Sequence, residues 1–140
     1  MKPEIERALA ITPASSARER TVDITTIGAR TGLPRRIEVW FYRAGGRVYL
    51  STAPAKRSWY ANIVKNPAFT FHLKHGVHAD LAAIGTPVQD AGEREAVFTE
   101  IIADLDQPSN PAGIPQPVEP LAAWLAGSPL VRIDFVEGTG

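Results

Sequence analysis

Hydrophobic and polar residues alternate strictly from residue 21 onward. Val22, Ile24 and Thr26 oppose Asp23 and Thr25, the pattern of a half-buried strand. A second run covers about Arg35–Arg43, with Ile37, Val39 and Phe41 on one face and Arg36, Glu38, Trp40 and Tyr42 on the other. Ala44-Gly45-Gly46 reads as a hairpin turn, because glycine accepts positive φ. Its antiparallel partner is Arg47–Thr52, burying Val48 and Leu50. A fourth strand spans Ala68–Lys74, where Phe69, Phe71 and Leu73 alternate with Thr70, His72 and Lys74. A fifth runs about His78–Gln89, and a closing strand, Leu130–Val136, places Val131, Ile133 and Phe135 on one side.

Helical signals interrupt these strands. Pro3 suits the first position of a short helix over residues 3–10, and Thr12–Arg20 reads as a small, polar connector. Ser58 is the expected N-cap of a helix over Trp59–Lys65, which Asn66-Pro67 ends. Asp90, with Glu93 three residues on, resembles a capping box before Val97, Phe98, Ile101, Ile102 and Leu105 at helical spacing. Asp106–Gln116 is a loop, and a short helix over Pro120–Ala126 ends at Gly127. Six strands arriving mostly as hairpin neighbours, with two or three inserted helices, predict a mainly β (α+β) fold. It is an antiparallel sheet or small barrel with peripheral helices. Residues 1–20 form an N-terminal helix and connector, and residues 21–140 a single domain.

Composition narrows the function. A chain of 140 residues, 44% hydrophobic, supports one domain with one real core. A formal net charge of zero argues against nucleic-acid binding through bulk positive charge. Without cysteine there is no disulfide framework, cysteine zinc site or thiol nucleophile. No run approaches the roughly 20 apolar residues of a membrane span. The first residues carry no apolar signal-peptide core, so the expected location is cytoplasmic.

The charge is uneven: seven of the fifteen cations fall between Arg30 and Arg57. Gly28-Ala29-Arg30-Thr31-Gly32-Leu33-Pro34-Arg35-Arg36 joins the first two strands. It reads either as an anion cradle, with backbone donors around the glycines and Arg30 and Arg35 as clamps, or as a solvated basic hairpin. Lys56 and Arg57 precede a helix start that also carries Trp59, Tyr60 and Asn62; helix N-termini favour anions. The plain alternative there is packing of Trp59 with Ile63 and of Tyr60 with Val64, with Asn62 an exposed helical residue. Together the two segments suit a planar, anionic cofactor. Ser51, at a strand end, is placed either to hydrogen-bond that cofactor or simply to end the strand. Glu38 is expected to pair with Arg36, Arg47 or a cation of another strand. His72, His75 and His78 lack compact ligand geometry, so no metal site is expected. Dinucleotide-binding, P-loop and serine-hydrolase motifs are missing.

Thr26-Ile27-Gly28-Ala29-Arg30-Thr31-Gly32-Leu33-Pro34-Arg35 resembles the G-[RA]-[KR]-[ST]-G-x-x-R signature of the deazaflavin-dependent nitroreductase family. Trp59-Tyr60-Ala61-Asn62-Ile63 with Asn66-Pro67 resembles that family's W-Y-x-N-L-x-x-x-P block. The likeness covers about residues 20–90. It implies a split β-barrel related to the pyridoxamine-phosphate-oxidase-like flavoproteins, commonly dimeric, so a monomer or homodimer is expected. It also implies coenzyme F-420 (an 8-hydroxy-5-deazaflavin with a phosphate and an acidic tail) and hydride transfer to an electron-poor small molecule such as a nitro compound, quinone or enone. By the same likeness Arg30, Thr31 and Arg35 belong to the phosphate region. Lys56 and Arg57 lie near the tail or ring edge, Trp59, Tyr60 and Asn62 flank the groove, and Ser51 and Thr52 line it. Tyr60 or Ser51 would hand a hydrogen bond or proton to the substrate. The family strand after the signature is mostly neutral; here it carries Glu38, which would repel an anionic tail if unpaired. Alternatives are an FMN-dependent oxidoreductase and a non-catalytic binder holding a fatty-acyl chain, its carboxylate on the arginines.

Overall fold

A computed structural model describes residues 1–136, so the last four positions of the expected 21–140 domain lie outside the described residues. Two short helices, α1 (Pro3–Leu9) and α2 (Ala17–Arg20), lead into strand β1 (Thr21–Ile27). Then come β2 (Pro34–Ala44), β3 (Arg47–Ser51), helix α3 (Ser58–Lys65), β4 (Ala68–Leu73) and β5 (Ala79–Pro87). Helices α4 (Ala91–Leu105) and α5 (Leu121–Gly127) precede β6 (Leu130–Phe135). The strands form a closed antiparallel barrel in the order β1-β2-β3-β6-β5-β4, so the split β-barrel and its six strands are as the sequence implies.

Strand register explains where the barrel opens. The β1–β2 ladder runs from Thr21 opposite Trp40 to Ile27 opposite Pro34. The β2–β3 ladder covers only Phe41 to Ala44. Residues 34–40 of β2 therefore pair on one edge alone. The chain leaving β3 turns away, and α3 with the segment before it stands opposite that half of β2. Gly45 and Gly46, with φ of 57° and 76°, make the β2–β3 turn that fixes this register.

The sequence predicted one core; the barrel wall separates two. Inside lie Ile24, Phe41, Leu50, Phe71 and Val131, with Trp59 and Ile63 of α3. Outside, α4 and α5 cover β2 and β3, so Tyr42 and Tyr49 pack with Phe98, Ile101 and Trp124. The alternating faces were assigned correctly, but the β2 face carrying Trp40 and Tyr42 is not a solvent face there. Burying both faces takes the strand beyond the half-buried pattern.

Several boundaries differ from expectation by a residue or two, and one helix is new. The presumed connector contains α2, where Ser16 and Glu19 form a complete capping box. Helix α3 starts one residue early, with Arg57 in the N-cap position and no capping side chain. Strand β5 ends at Pro87 rather than Gln89. Arg20, fully buried, closes the outer layer: Nη1 donates to Asp104 Oδ2 at 2.6 Å and Nε to the Ser15 carbonyl at 3.0 Å.

Close backbone approach seats α3 on the barrel. A Cβ on Gly85 of β5 would stand 2.6 Å from Ile63 Cγ2 and 2.9 Å from Val131 Cγ1. Gly85→Ala is expected to destabilise the protein by about 1–3 kcal/mol through overpacking. The midpoint of urea unfolding measures it, and an unchanged midpoint would show that α3 can shift freely.

Candidate functional site

The β1–β2 turn is closed by its own hydrogen bonds. The Gly28 N–H donates to the Leu33 carbonyl and the Gly32 N–H to the Gly28 carbonyl, both at 2.9 Å. Gly32 has φ of 69°, and a Cβ on Gly28 would meet Thr31 Oγ1 at 2.5 Å, which accounts for both glycines. Thr31 Oγ1 accepts from the Leu33 N–H at 3.2 Å. Helix α3 takes up the remainder: the Ala29 N–H donates to Asn62 Oδ1 at 2.9 Å, and Lys65 Nζ donates to the Ala29 carbonyl at 2.9 Å. Of the backbone donors expected around the glycines, most are therefore taken up within the protein. The amides of Gly28, Ala29, Gly32 and Leu33 are all committed inside the protein.

Asn62 is the joint between helix and hairpin. It is 8% exposed rather than a surface residue, and its Nδ2 also donates to Thr26 Oγ1 at 3.0 Å. Asn66 Nδ2 adds a longer bond to the Ile27 carbonyl at 3.4 Å. These contacts hold α3 across from the singly paired half of β2 and keep a groove of about 490 Å³ between them.

One wall of the groove is Arg35, Ile37, Glu38 and Val39 of β2, with Thr26 of β1; the other is Thr52, Lys56, Arg57, Ser58, Trp59 and Asn62. Arg57 Nε donates to Thr52 Oγ1 at 3.4 Å. The Arg35 and Lys56 side chains, both exposed, make no hydrogen bond or ion pair with the rest of the described residues. Glu38 is paired, as expected, with a cation beyond another strand: Lys74 Nζ contacts Glu38 Oε2 and also lies 2.7 Å from Asp23 Oδ1. Arg36 Nε completes the cluster, 3.0 Å from Asp23 Oδ2. Partial burial pushes the Asp23 carboxyl up, but hydrogen bonds from Lys74 and Arg36 outweigh it and hold the group below the usual carboxylate range. Glu38, the acid in the groove wall, is thus paired with Lys74, and Arg35, Lys56 and Arg57 leave the groove cationic.

Other predicted site residues lie elsewhere. Arg30 and Thr31 belong to the hairpin turn and do not line the groove. Ser51 is 1% exposed and spends its hydroxyl on the Pro129 carbonyl at 2.7 Å, so burial removes it from any ligand in the groove. Tyr60 sits one position round the helix from the groove, edge-on to Trp59 with ring centroids 6.2 Å apart, and does not line it. His72 lies between Thr25 Oγ1 (2.7 Å) and Asp80 Oδ1 (2.6 Å), and among the described residues no cluster of three potential metal ligands occurs. Thr26, Ile37 and Val39 were overlooked as lining residues. Their signal was the register, since Thr26 stands opposite Arg35 and Ile24 opposite Ile37.

The groove offers apolar walls and cations, and no side chain in it is arranged as a nucleophile with a partnered base. Residues 15–107, which contain the entire groove, match the model of the F420H(2)-dependent quinone reductase family. The chain belongs to that family. It is an F-420-dependent oxidoreductase, as the signature turn and the W-Y-x-N block implied. No curated protein matches the chain. Among solved structures, a conserved hypothetical protein from Mycobacterium tuberculosis is similar at TM-score 0.62 and 20% identity, over 98% of this chain and 82% of that one. An F420 reductase is similar at TM-score 0.57 and 18% identity, over 84% and 86%. The haem storage protein of Vibrio cholerae is similar at TM-score 0.51 and 16% identity, over 98% and 91%. The same barrel therefore serves unlike cofactors, and the family match, not the fold, identifies this one. Among the described residues no helix of this reductase is long and apolar enough to cross a membrane.

Asn62→Ala is expected to leave the Ala29 N–H and Thr26 hydroxyl without their partner and to cost about 1–3 kcal/mol. Denaturant unfolding measures the loss. Stability equal to that of the parent would mean the joint is redundant.

Proposed function

We propose that the groove between β2 and α3 holds F-420, with Arg35, Lys56 and Arg57 on its phosphate and acidic tail. When bound in reduced form, F-420 supplies a hydride to an electron-poor acceptor. The acceptor class favoured is a quinone, in keeping with the family's description; nitro compounds and enones share the same electron demand.

The observation that carries this reading is the convergence of three groove cations with an apolar wall in the family-matched part of the chain. A volume of about 490 Å³ lies in the usual range for cofactor sites. Arg35 and Lys56 have no partner among the described residues to give up, so an anion gains their charge without breaking an ion pair there. Arg57 is steadied by Thr52 and presents an oriented guanidinium. Ile37, Val39 and Trp59 exclude water along the flat part of the ligand. Glu38, held by Lys74, does not repel it. With Ser51 and Tyr60 outside the groove, the chain's own part is to bind, orient and keep the site dry. The fatty-acid alternative gains no support from this geometry.

Arg35→Ala is expected to weaken binding of oxidised F-420 about 10- to 100-fold, the worth of one charge-assisted contact, while leaving unfolding unchanged. Titration of cofactor fluorescence reads the first and thermal unfolding the second. Equal affinity in the variant would remove Arg35 from the binding site.

A further inference from the structure

Thr26 lines the groove at 1% exposure, and its hydroxyl carries an uncommitted proton. Hydrogen-bond accounting shows why. The Ala29 backbone N–H can only donate, so the amide atom it meets at 2.9 Å is Asn62 Oδ1. The other end of that amide is then Nδ2, which has no acceptor capacity and lies 3.0 Å from Thr26 Oγ1. Thr26 is therefore the acceptor in this bond. Its own O–H donates to no group among the described residues. The other hydroxyls of the groove differ: Thr52 Oγ1 donates to the Ala53 carbonyl at 3.1 Å, and Ser58 is exposed. A hydroxyl this deeply buried calls for an acceptor, and the groove is where one can arrive.

Depth selects the kind of acceptor. In the β1–β2 ladder Thr26 stands opposite Arg35, and Ile37 and Val39 continue the same wall of the groove. Arg35 is exposed and carries its charge several bonds beyond its Cβ, whereas the Thr26 hydroxyl is one bond from its own. The hydroxyl thus lies level with the apolar wall rather than with the guanidinium. A phosphate or carboxylate would have to shed its water to reach that depth, while an uncharged carbonyl oxygen loses far less.

We propose that Thr26 recognises the flat ring of the cofactor, its hydroxyl donating a hydrogen bond to an uncharged carbonyl oxygen of the deazaflavin. The inference rests on the F-420 reading of the groove and adds to it a polar contact for the ring, separate from the cations for the phosphate and tail. Asn62 sets the direction of that contact, because an oxygen that accepts from Asn62 has to donate elsewhere. The chain Ala29–Asn62–Thr26 therefore both ties the hairpin to α3 and aims a donor at the ring.

Fluorescence titration of the full chain with oxidised F-420, and with its ring riboside lacking phosphate and tail, tests this. Thr26→Val is expected to weaken both ligands about three- to tenfold, the size of one neutral hydrogen bond. Thr26→Ser should keep the parental affinity for both. Arg35→Ala should weaken F-420 alone. Because Thr26→Val also takes the acceptor from Asn62, its unfolding midpoint should fall. The infrared carbonyl bands of the bound riboside separate that structural loss from ring recognition. One band should lie at lower wavenumber in the parent and in Thr26→Ser than in Thr26→Val. If Thr26→Val does not fold, Thr26→Ala is read in the same way. Unchanged riboside affinity in the valine variant, or carbonyl bands identical in the valine and serine variants, would overturn the inference. Loss of F-420 affinity with riboside affinity intact would put the hydroxyl on the phosphate and overturn it as well. A parent that binds neither ligand would overturn the F-420 reading itself, and this inference with it.

Discussion

The side-chain amide of Asn62 bridges two strands' worth of structure: its nitrogen donates to Thr26 near the end of β1, and its oxygen accepts from Ala29 in the turn that follows. Without this joint, the half of β2 that lacks a β3 partner would keep its ladder with β1 and only the exposed Lys65–Ala29 and long Asn66–Ile27 bonds to hold it against α3. Burial makes the joint strong. A nearly enclosed amide with both ends paired gains a full hydrogen-bond complement, and breaking either bond leaves a desolvated group behind. The groove exists because helix and hairpin are tied at this point while their walls diverge elsewhere.

Around that joint the barrel divides its work. Its interior core seats α3 through Trp59 and Ile63, and Gly85 lets the helix lie close to β5. The outer core, under α4 and α5, stiffens the opposite side of β2. Charges are divided in the same way. Asp23, Glu38, Arg36 and Lys74 satisfy one another on the outer face, whereas Arg35 and Lys56 keep their charge for a ligand. A cationic groove next to a self-neutralised cluster concentrates attraction for an anion where the apolar wall can also receive a flat ring.

Much of this was legible in the sequence. Alternation located every strand, and two spaced motifs implied both the split barrel and its deazaflavin cofactor. The sequence also pointed to Arg35, Thr52, Lys56, Arg57, Trp59 and Asn62, and all six line the groove. What stayed hidden depended on which partner each polar group finds. Asn62 was expected beside the groove, but its role as a joint stayed hidden because its partners, Thr26 and Ala29, lie more than thirty positions earlier. Ser51 looked free at a strand end because Pro129, which takes its hydroxyl, is 78 positions away. The turn glycines resembled an anion cradle, but Gly28 and Gly32 spend their amides within the turn and Ala29 spends its amide on Asn62 of α3. Double burial of β2 and β3 was invisible because Trp40, Tyr42 and Tyr49 carry polar tips that read equally well as surface or core. Helix α2 was missed although Ser16 and Glu19 spell a capping box, a signal that was present and unread.

Hydrogen exchange followed by mass spectrometry, with and without oxidised F-420, tests the central claim most directly. Binding in the groove predicts added protection over residues 26–39 and 52–62 together, with the N-terminal segment 7–22 unchanged. Protection confined to segment 7–22, or spread evenly over the chain, would contradict a cofactor site between β2 and α3.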